Sequence, residues 1–496
     1  MDSLPDEILV RIFKSLPLSS RNQVRLVNKN WNQACNDKSI IKKEVLFIEP
    51  LLSVSHQYFC DVFSTLAETR RSIINIDILG IVDVYLVCDA DLNNFWRCHG
   101  TKIRYLALEK LTGKNSRHLI EFLSLCPNVK ELNFPNLFQE DGMWEKLSTV
   151  GIALKEVTCL TLDIKFDSFK NSCINEALPK LFPNVRELNI SFSPSYHLYE
   201  DDDYSKCIIG KEICRIMDAV LTLSAKLKCL ELHIPAKEEE FILILRPTEE
   251  ERIRQTLTNI IAAVEQIKTL KIAVNGFSIY QNINQMKNLK NLTTLHFYRN
   301  TTSYSTCDLL IEILDHLPNL RHLLVRTDNI LESDNKRFFL EKLVSSSLKS
   351  LVIRGSQHNW SVPENNDLYN KTLEVMDIDV YYTAVDSRAV SLFLIEHFSN
   401  LQTLSINFKT TTRKELQSMF IHQANRYESK EIESYTLLAF FRAVEEMPCL
   451  EFLKLHYWMT VPYKLVLRQC ECHKNLQYLC FQGDYSCKVS KLNVLN

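Results

Sequence analysis

The sequence predicts an α/β solenoid of parallel strands and helices, preceded by a small all-α segment. Three observations predict it: one apolar pattern recurs along the chain, its copies follow one another at similar intervals, and helical patterns lie between the copies. A solenoid grows by stacking repeats instead of closing a single core, so a chain of 496 residues need not divide into several globular domains.

The recurring pattern is apolar-x-x-apolar-x-apolar, seen clearly at Leu320, Leu323 and Val325. From residue 103 onward its copies are 25 to 49 residues apart, and most steps are 25 to 28 residues. A period of roughly 20–29 residues with this core is the signature of leucine-rich repeats. The copies begin at Ile103, Val129, Val157, Val185, Leu227, Ile267, Leu292, Leu320, Leu348, Leu373, Leu401, Leu450 and Leu476, with a weaker copy at Ile73.

Helical patterns fill the intervals between the predicted strands. Leu310, Ile313 and Leu317, for example, recur at helical spacing just before the strand that begins near Leu320. Several of these patterns end at a proline, which cannot continue a helix. We therefore expect a horseshoe with parallel strands on its concave face and helices on its convex face; the prolines are Pro127, Pro183, Pro318 and Pro448.

Three intervals are longer than the others, and in each the surplus follows a strand and precedes a helix. The surplus segments lie near 191–210, 235–250 and 408–431. Since they occupy the same place in their repeats, we expect them to emerge from one edge of the solenoid, where insertions often form binding surfaces. The acidic runs at 200–203 and 238–240 are equally consistent with solvated loops.

The first 40 residues carry signals for three short helices. Residues 3–16 form an amphipathic pattern with Ser3 as a candidate cap and Pro5 in the first turn. A second helix is predicted from Ser19 or Ser20, and a third around Trp31. Three such helices are too small for an independent core, so they either cap the solenoid or complete their packing on a partner.

The residues of this segment resemble an F-box. Leu-Pro-Asp-Glu-Ile-Leu at 4–9, Ile-Phe at 12–13, Leu-Pro at 16–17 and Arg-Leu-Val-Asn-Lys-Asn-Trp at 25–31 follow the family pattern, with Asn28 where cysteine or serine is more usual. Together with the repeats, the chain resembles the F-box/leucine-rich-repeat family, whose members are substrate receptors of Skp–cullin–F-box (SCF-type) cullin–RING ubiquitin ligases. The resemblance implies an F-box at 1–40, a connector with irregular first repeats at 41–100, and the repeat solenoid at 101–496.

The resemblance also implies which residues contact a Skp-type adaptor, and through it the cullin and RING subunits. Some of the candidates must instead pack the three helices together, and the sequence does not separate the two groups. The adaptor-contact candidates are Leu4, Pro5, Ile8, Ile12, Leu16, Val24, Val27 and Trp31.

Composition excludes several classes of function. The net charge is −2, so no overall basic field points to nucleic acid or to an anionic membrane. The most apolar window, 73–92, carries four aspartates, which disfavours a membrane span. The acidic N-terminus lacks a signal-peptide pattern, so the 16 scattered cysteines are interpreted as reduced residues of a cytoplasmic or nuclear protein.

Candidate substrate contacts lie on the predicted concave face, directly after the last apolar residue of a repeat. Arginine and aromatic side chains are enriched at binding hot spots, and Tyr298, Arg326 and Arg354 occur on successive repeats. His456 occupies the same position further along the chain, and Trp458 follows it near the edge of the face. The expected ligand is a protein whose identity the sequence does not reveal.

No catalytic motif, metal centre or cofactor site is predicted. The nearest pattern to a zinc site is Cys470-Glu471-Cys472-His473, which lacks the second pair of ligands that zinc usually requires. The sequence therefore favours a non-catalytic substrate receptor of a ubiquitin ligase that acts by proximity. A repeat scaffold or inhibitor with a helical cap is the alternative, and an enzyme using Cys470, Cys472 and His473 is a remote third.

Overall fold

The computed structural model contains two compact units, residues 1–264 and 265–496. The described residues are 4–16, 18–37, 40, 45–48, 56–68, 73–78, 90–108, 123–138, 144, 149, 153–166, 173–194, 203–234, 247–273, 285–299, 306–327, 342–354, 369–381, 397–409, 447–456, 478–482 and 487–490.

Three helices form at the N-terminus as the sequence predicts: α1 (Asp6–Ser15), α2 (Leu18–Arg25) and α3 (Lys29–Cys35). Pro5 occupies the N-cap position of α1, and its side chain makes no capping hydrogen bond. The sequence placed Pro5 within the first turn, so the helix begins later than predicted. Asn28 caps α3, since its side chain accepts a hydrogen bond of 2.8 Å from the Trp31 amide. The departure of Asn28 from the F-box pattern thus retains a capping role.

The first unit contains parallel strands whose spatial order follows the chain. Helices α4 (His56–Ala67) and α5 (Ala90–His99) pack together, as do α6 (Ile174–Leu181), α7 (Asp203–Leu223) and α8 (Pro247–Ala263) in sequence. The strands are β1 (Val45–Ile48), β2 (Asn75–Ile78), β3 (Tyr105–Leu108), β4 (Glu131–Phe138), β5 (Cys159–Phe166), β6 (Glu187–Pro194) and β7 (Cys229–His233).

The second unit repeats this arrangement, with α9 (Thr306–His316) preceding one of its strands. All strands but the last pair in parallel, while the last runs antiparallel to its neighbour and departs from the predicted repeat. The strands are β8 (Thr269–Ala273), β9 (Thr294–Arg299), β10 (His322–Thr327), β11 (Ser350–Arg354), β12 (Val375–Tyr381), β13 (Thr403–Lys409), β14 (Phe452–His456), β15 (Tyr478–Gln482) and β16 (Cys487–Ser490).

The apolar skeleton is buried in both units, which confirms the leucine-rich-repeat architecture. In β10 the skeleton residues Leu323 and Val325 are buried, while Leu324 between them is half-buried. This alternation follows from the two faces of a strand, one packed on the core and the other turned away from it. We call the second set the outward positions.

The surplus segments are described only in part. Strand β6 extends to Pro194 and α7 begins at Asp203, so the described ends of the first segment lengthen existing elements. Helix α8 begins at Pro247 within the second segment. The third lies outside the described residues, apart from the end of β13.

Asparagine side chains join the turn before one strand to the turn before the preceding strand. The Asn319 side-chain amide donates to the Lys290 carbonyl at 2.8 Å, so each such bond gives a main-chain carbonyl in a turn a hydrogen-bond donor. The same bond recurs from Asn128 to Thr101, from Asn184 to Lys155, from Asn291 to Glu265 and from Asn400 to Lys371.

A buried aromatic cluster fills the space between α4 and α5. Phe63 contacts Phe95 edge to face at 4.9 Å, and Phe95 packs against Trp96 and His99. His99 Nε2 lies 3.1 Å from the Leu66 carbonyl, which can only accept, so the neutral ring carries its proton on Nε2. Its Nδ1 is buried without a hydrogen-bond partner among the described residues.

We expect protonation of His99 to destabilise the fold. Burial, aided by nearby Lys102, lowers the pKa of His99 below its ordinary 6.5, so the unfolded chain binds this proton more readily than the folded chain. Stability should therefore fall as the pH drops below about 6.5 and continue to fall until the lower folded pKa is passed. His99→Gln keeps a neutral donor. When the pH is lowered from about 7 to about 5, the melting temperature of this variant should therefore fall by less than that of the wild type. Identical losses in both proteins would contradict this role.

Candidate functional site

The N-terminal helices leave an unusual share of apolar side chain exposed. Ile8 and Ile12 on α1 are 40% and 41% exposed, and Leu26 and Val27 after α2 are 80% and 58% exposed. Ile8 and Ile12 are four residues apart and therefore lie side by side on one face of the helix. We call these four residues the exposed apolar set. Exposed large apolar side chains that form a contiguous patch are typical of protein-binding surfaces, which makes the exposed apolar set a candidate for one.

The structure separates the adaptor-contact candidates that the sequence left mixed. Leu4, Leu16, Val24 and Trp31 pack against a core that belongs to the helices themselves. Ile8, Ile12 and Val27 belong instead to the exposed apolar set, and Pro5 is also exposed. The internal core consists of Leu9, Phe13, Ala34, Cys35 and Ile40.

Packing of rings orients α1, which carries Ile8 and Ile12, against α3. The Phe13 and Trp31 rings lie 5.4 Å apart and join α1 to α3. Leu26, which the sequence did not single out, lies just past the end of α2 in a turn closed by a bond from its amide to the Gln23 carbonyl. Val27, which lies equally beyond the helix, was among the candidates, whereas the F-box pattern that supplied the candidates leaves position 26 unspecified.

The second candidate surface is the outward face of the strands in the second unit. Strand register brings Tyr298 on β9, Arg326 on β10 and Arg354 on β11 to directly neighbouring positions. His456 on β14 lies at the corresponding position, paired with Asn407 on β13. Trp458 lies outside the described residues. The register thus places the three highest-ranked sequence candidates side by side.

Arg354 is held by carboxylates of the next strand. Its guanidinium makes a close ion pair with Asp377 and lies 3.6 Å from an Asp379 oxygen. Asp379 is only 1% exposed and accepts a 3.0 Å hydrogen bond from Asn407. Two carboxylates and a fixed planar guanidinium make Arg354 a rigid, charge-compensated group at the border of β11 and β12.

Three of the thiols in the described part of the chain are poor nucleophiles. Burial raises the pKa of Cys126 to about 12 and that of Cys214 to about 11. Burial and the nearby carboxylates of Glu187 and Glu131 raise the pKa of Cys159 to about 11. The reactive species is the thiolate, so these cysteines are suited to packing and not to catalysis.

No group of three or more histidine, cysteine or acidic side chains is placed to hold a metal ion within the described ranges. Cys470, Cys472 and His473 lie outside those ranges. Cys480 on β15 and Cys487 on β16 lie on paired antiparallel strands. Among the helices that the structure describes, none has the length and apolarity needed to cross a membrane.

Comparison with known proteins identifies the N-terminal helices. Residues 1–45 match the F-box-like family model, which confirms the resemblance seen in the sequence. This F-box-like segment precedes leucine-rich repeats, the architecture that the strands and their buried skeleton define. The chain thus combines the two parts that characterise F-box/leucine-rich-repeat proteins. No curated protein sequence matches the chain.

Two of the solved structures to which the chain is similar illustrate matches at low identity. One is the leucine-rich repeat-containing protein LegL7 from Legionella pneumophila, with 13% identity, 71% of this chain and 91% of that chain covered, and a TM-score of 0.35. The other is a chain of the Rad7 and Elc1 complex in yeast, with 14% identity, 82% and 90% covered, and a TM-score of 0.38.

Proposed function

We propose that this chain is the substrate-recognition subunit of a Skp–cullin–F-box ubiquitin ligase. The observation that carries the proposal is the F-box-like match at residues 1–45 on helices that leave Ile8, Ile12 and Val27 exposed. A Skp-type adaptor would cover these side chains and link the chain to the cullin and RING subunits. The repeats would bind a protein substrate. The chain would work in the cytoplasm, the nucleus or both.

The exposed apolar set is suited to docking because its side chains are only partly covered. Fully burying one isoleucine stabilises by roughly 1.5–3 kcal/mol, so covering the exposed part of Ile8 or Ile12 contributes on the order of 1 kcal/mol each. Additional contacts from Pro5 and Val27 would add to this. The four internally packed candidates would act indirectly by keeping the helices in place.

The proposed contribution of the chain to ubiquitin transfer is proximity, with no bond chemistry of its own. Holding a substrate beside a charged conjugating enzyme makes the transfer effectively intramolecular, which removes much of the entropic cost of the encounter. The raised pKa values of Cys126, Cys159 and Cys214 make these three thiols unsuited to nucleophilic catalysis, while Cys470, Cys472 and His473 of the third hypothesis lie outside the described residues.

The alternative is a repeat scaffold or inhibitor whose N-terminal helices cap the solenoid. It would bind a partner through the strands without an adaptor. The exposure of Ile8 and Ile12 favours the ligase, because a cap is expected to present a polar outer surface.

Stepwise assembly on a sizing column tests the proposal. The purified full chain should co-elute with a Skp-type adaptor, and the pair should then capture a cullin bound to its RING subunit. Co-elution with the adaptor but not with the cullin would limit the function to adaptor binding. A stable chain that binds neither would instead support the scaffold.

A further inference from the structure

Two buried polar atoms on neighbouring strands of the second unit have no hydrogen-bond partner among the described residues. They are Asp377 Oδ1 on β12 and Ser405 Oγ on β13, and strand register makes these two residues direct neighbours. Ser405 is only 5% exposed, although it lies at an outward position of its strand. A buried polar atom without a hydrogen bond costs free energy, so a pair of such atoms on a candidate binding face points to a ligand that satisfies both.

Neighbouring charges hold the Asp377 carboxylate in place. Its other oxygen forms the close ion pair with Arg354, and Arg354 also approaches Asp379, which accepts the 3.0 Å hydrogen bond from Asn407. Turning the Asp377 carboxylate toward Ser405 would break the ion pair with Arg354. Asp377 Oδ1 and Ser405 Oγ therefore lie on adjacent strands without bonding to each other, and a third group can bond to both.

The charges around these two atoms are balanced. Asp377 and Asp379 supply two negative charges, and Arg354 and Lys454 supply two positive ones, with Lys454 on β14 as the other register neighbour of Ser405. Lys454 is half-buried and makes no ion pair or hydrogen bond within the part of the chain that the structure describes. A cationic ligand would meet Lys454, and an anionic one would meet the carboxylates. The site thus favours a neutral hydrogen-bonding group.

A primary amide matches the two atoms. An ionised carboxylate oxygen can only accept, whereas a serine hydroxyl can donate. The nitrogen of a primary amide can donate to Asp377 Oδ1 while its oxygen accepts from Ser405 Oγ, because both lie on one carbon. The N–H and C=O of a trans peptide group point in opposite directions and cannot serve both atoms at once. Val352, the half-buried register partner of Asp377 on β11, offers an apolar contact for the methylene groups of a glutamine side chain.

We infer that the outward face of β11 to β14 binds a glutamine side chain of a partner protein. The side-chain amide bonds to Asp377 and Ser405, and the flexible side chain of Lys454 moves aside to admit it, since both polar atoms are covered in the free chain. The inference rests on the proposed function, because it names a feature of the substrates that the repeats select: an exposed glutamine.

Selection from a random-sequence peptide library by the full chain tests this preference without assuming a sequence. The retained peptides should be enriched in glutamine at one position. The probe for affinity is a synthetic peptide of the selected sequence, and its controls carry glutamate or lysine in place of that glutamine. The glutamine peptide should bind at least about tenfold more tightly than either control, because glutamate would be repelled by Asp377 and lysine by Lys454.

Ser405→Ala separates binding from stability. This variant should bind the glutamine peptide about two- to tenfold more weakly than the wild type, since one hydrogen bond is lost. Its melting temperature should equal or exceed that of the wild type, because the removed hydroxyl has no partner among the described residues. Ser350→Ala makes the same change at a half-buried outward position of β11 and should bind the peptide as the wild type does.

Three outcomes would overturn the inference: retention of no peptide, retained peptides that lack a glutamine preference or prefer lysine, and a Ser405→Ala protein that melts earlier but binds the peptide normally. The last outcome would make Ser405 a residue of the fold alone. Adaptor co-elution is measured on the same preparations. A wild type that binds the adaptor without a glutamine preference refutes the glutamine site alone, whereas one that prefers glutamine but does not bind the adaptor refutes the ligase.

Discussion

Replacing Asn370 by aspartate is expected to disrupt the second unit around β12. The Asn370 side chain is buried, and its amide nitrogen lies 3.1, 3.0 and 3.2 Å from the carbonyl oxygens of Leu343, Val344 and Ser346. Its oxygen accepts from the amides of Thr372 and Leu373 at 2.9 and 2.8 Å. One side chain thus joins the end of a helical turn to the start of the next strand.

Aspartate cannot donate, and its charge would face three carbonyl oxygens. Aspartate would keep the two bonds from the Thr372 and Leu373 amides, but a buried charge that is only partly compensated costs about 3–5 kcal/mol. Alanine at Asn370 would lose all these hydrogen bonds and leave the carbonyls unsatisfied at roughly 1–3 kcal/mol each. The destabilisation should be local, because each repeat contacts mainly its neighbours. Hydrogen exchange of peptides covering 342–354 and 369–381 would therefore speed up markedly in Asn370→Asp.

Asn400→Asp provides the matched control. Asn400 makes the same type of turn bond, to the Lys371 carbonyl at 2.6 Å, but from an incompletely buried position. Its replacement should cost about 1 kcal/mol, in line with one ordinary hydrogen bond. Equal hydrogen-exchange rates in the two variants would show that the burial of Asn370 adds no stability beyond that of an ordinary turn hydrogen bond.

Gly100→Ala is expected to destabilise the first unit at the entrance to β3. A methyl group at Gly100 would lie well inside contact distance of the Leu125 carbonyl oxygen, 3.0 Å from the Leu125 carbonyl carbon and 3.4 Å from Cys126 Sγ. The obstacle is main chain, which cannot rotate away as a side-chain tip can. Overpacking of this kind costs roughly 1–3 kcal/mol, and the neighbouring aromatic cluster leaves little space for adjustment.

The effect of Gly100→Ala is measured as a fall in the melting temperature of the full chain. Thr101→Ala, at the adjacent exposed position, should leave the melting temperature nearly unchanged. A Gly100→Ala protein as stable as Thr101→Ala would mean that the two chain segments do not approach each other as closely as the structure shows.

The repeat skeleton could be predicted from the sequence because its positions alternate with less buried ones along a strand, as in β10. Leu323 and Val325 show the relation plainly, since burial of an apolar side chain is favourable whatever its neighbours in space are. The asparagine bonds between turns could not be predicted in the same way. Asn319 reaches Lys290, and only the register of two repeats brings that carbonyl within hydrogen-bond distance. The Pro-Asn pair before a skeleton residue would have indicated three of the five bonds, those of Asn128, Asn184 and Asn319, but not those of Asn291 and Asn400.

The sequence predicted where the candidate site residues lie on the strands, but not which side chains they contact. Arg326 and Arg354 were ranked together, and the register confirms that they are neighbours. The ion pairs of Arg354 with Asp377 and Asp379 on β12 are visible only in the structure, because they depend on how side chains of two strands meet. In the N-terminal helices, the periodicity placed Ile8 and Trp31 among the same candidates, and only the packing of three helices shows that Trp31 lies against the internal core.

The affinity of the full chain for a Skp-type adaptor tests the central claim most directly. Calorimetric titration should show tight binding by the wild type and binding at least about a hundredfold weaker by Ile12→Asp, because docking would bury an unpaired carboxylate. Lys14→Asp is the control: Lys14 lies two residues, or about 200°, around α1 from Ile12, and its replacement changes the net charge by twice as much. We predict near-wild-type affinity for Lys14→Asp. Equal affinities for all three proteins, or no binding by a folded wild type, would contradict the assignment of these helices as an adaptor-binding F-box.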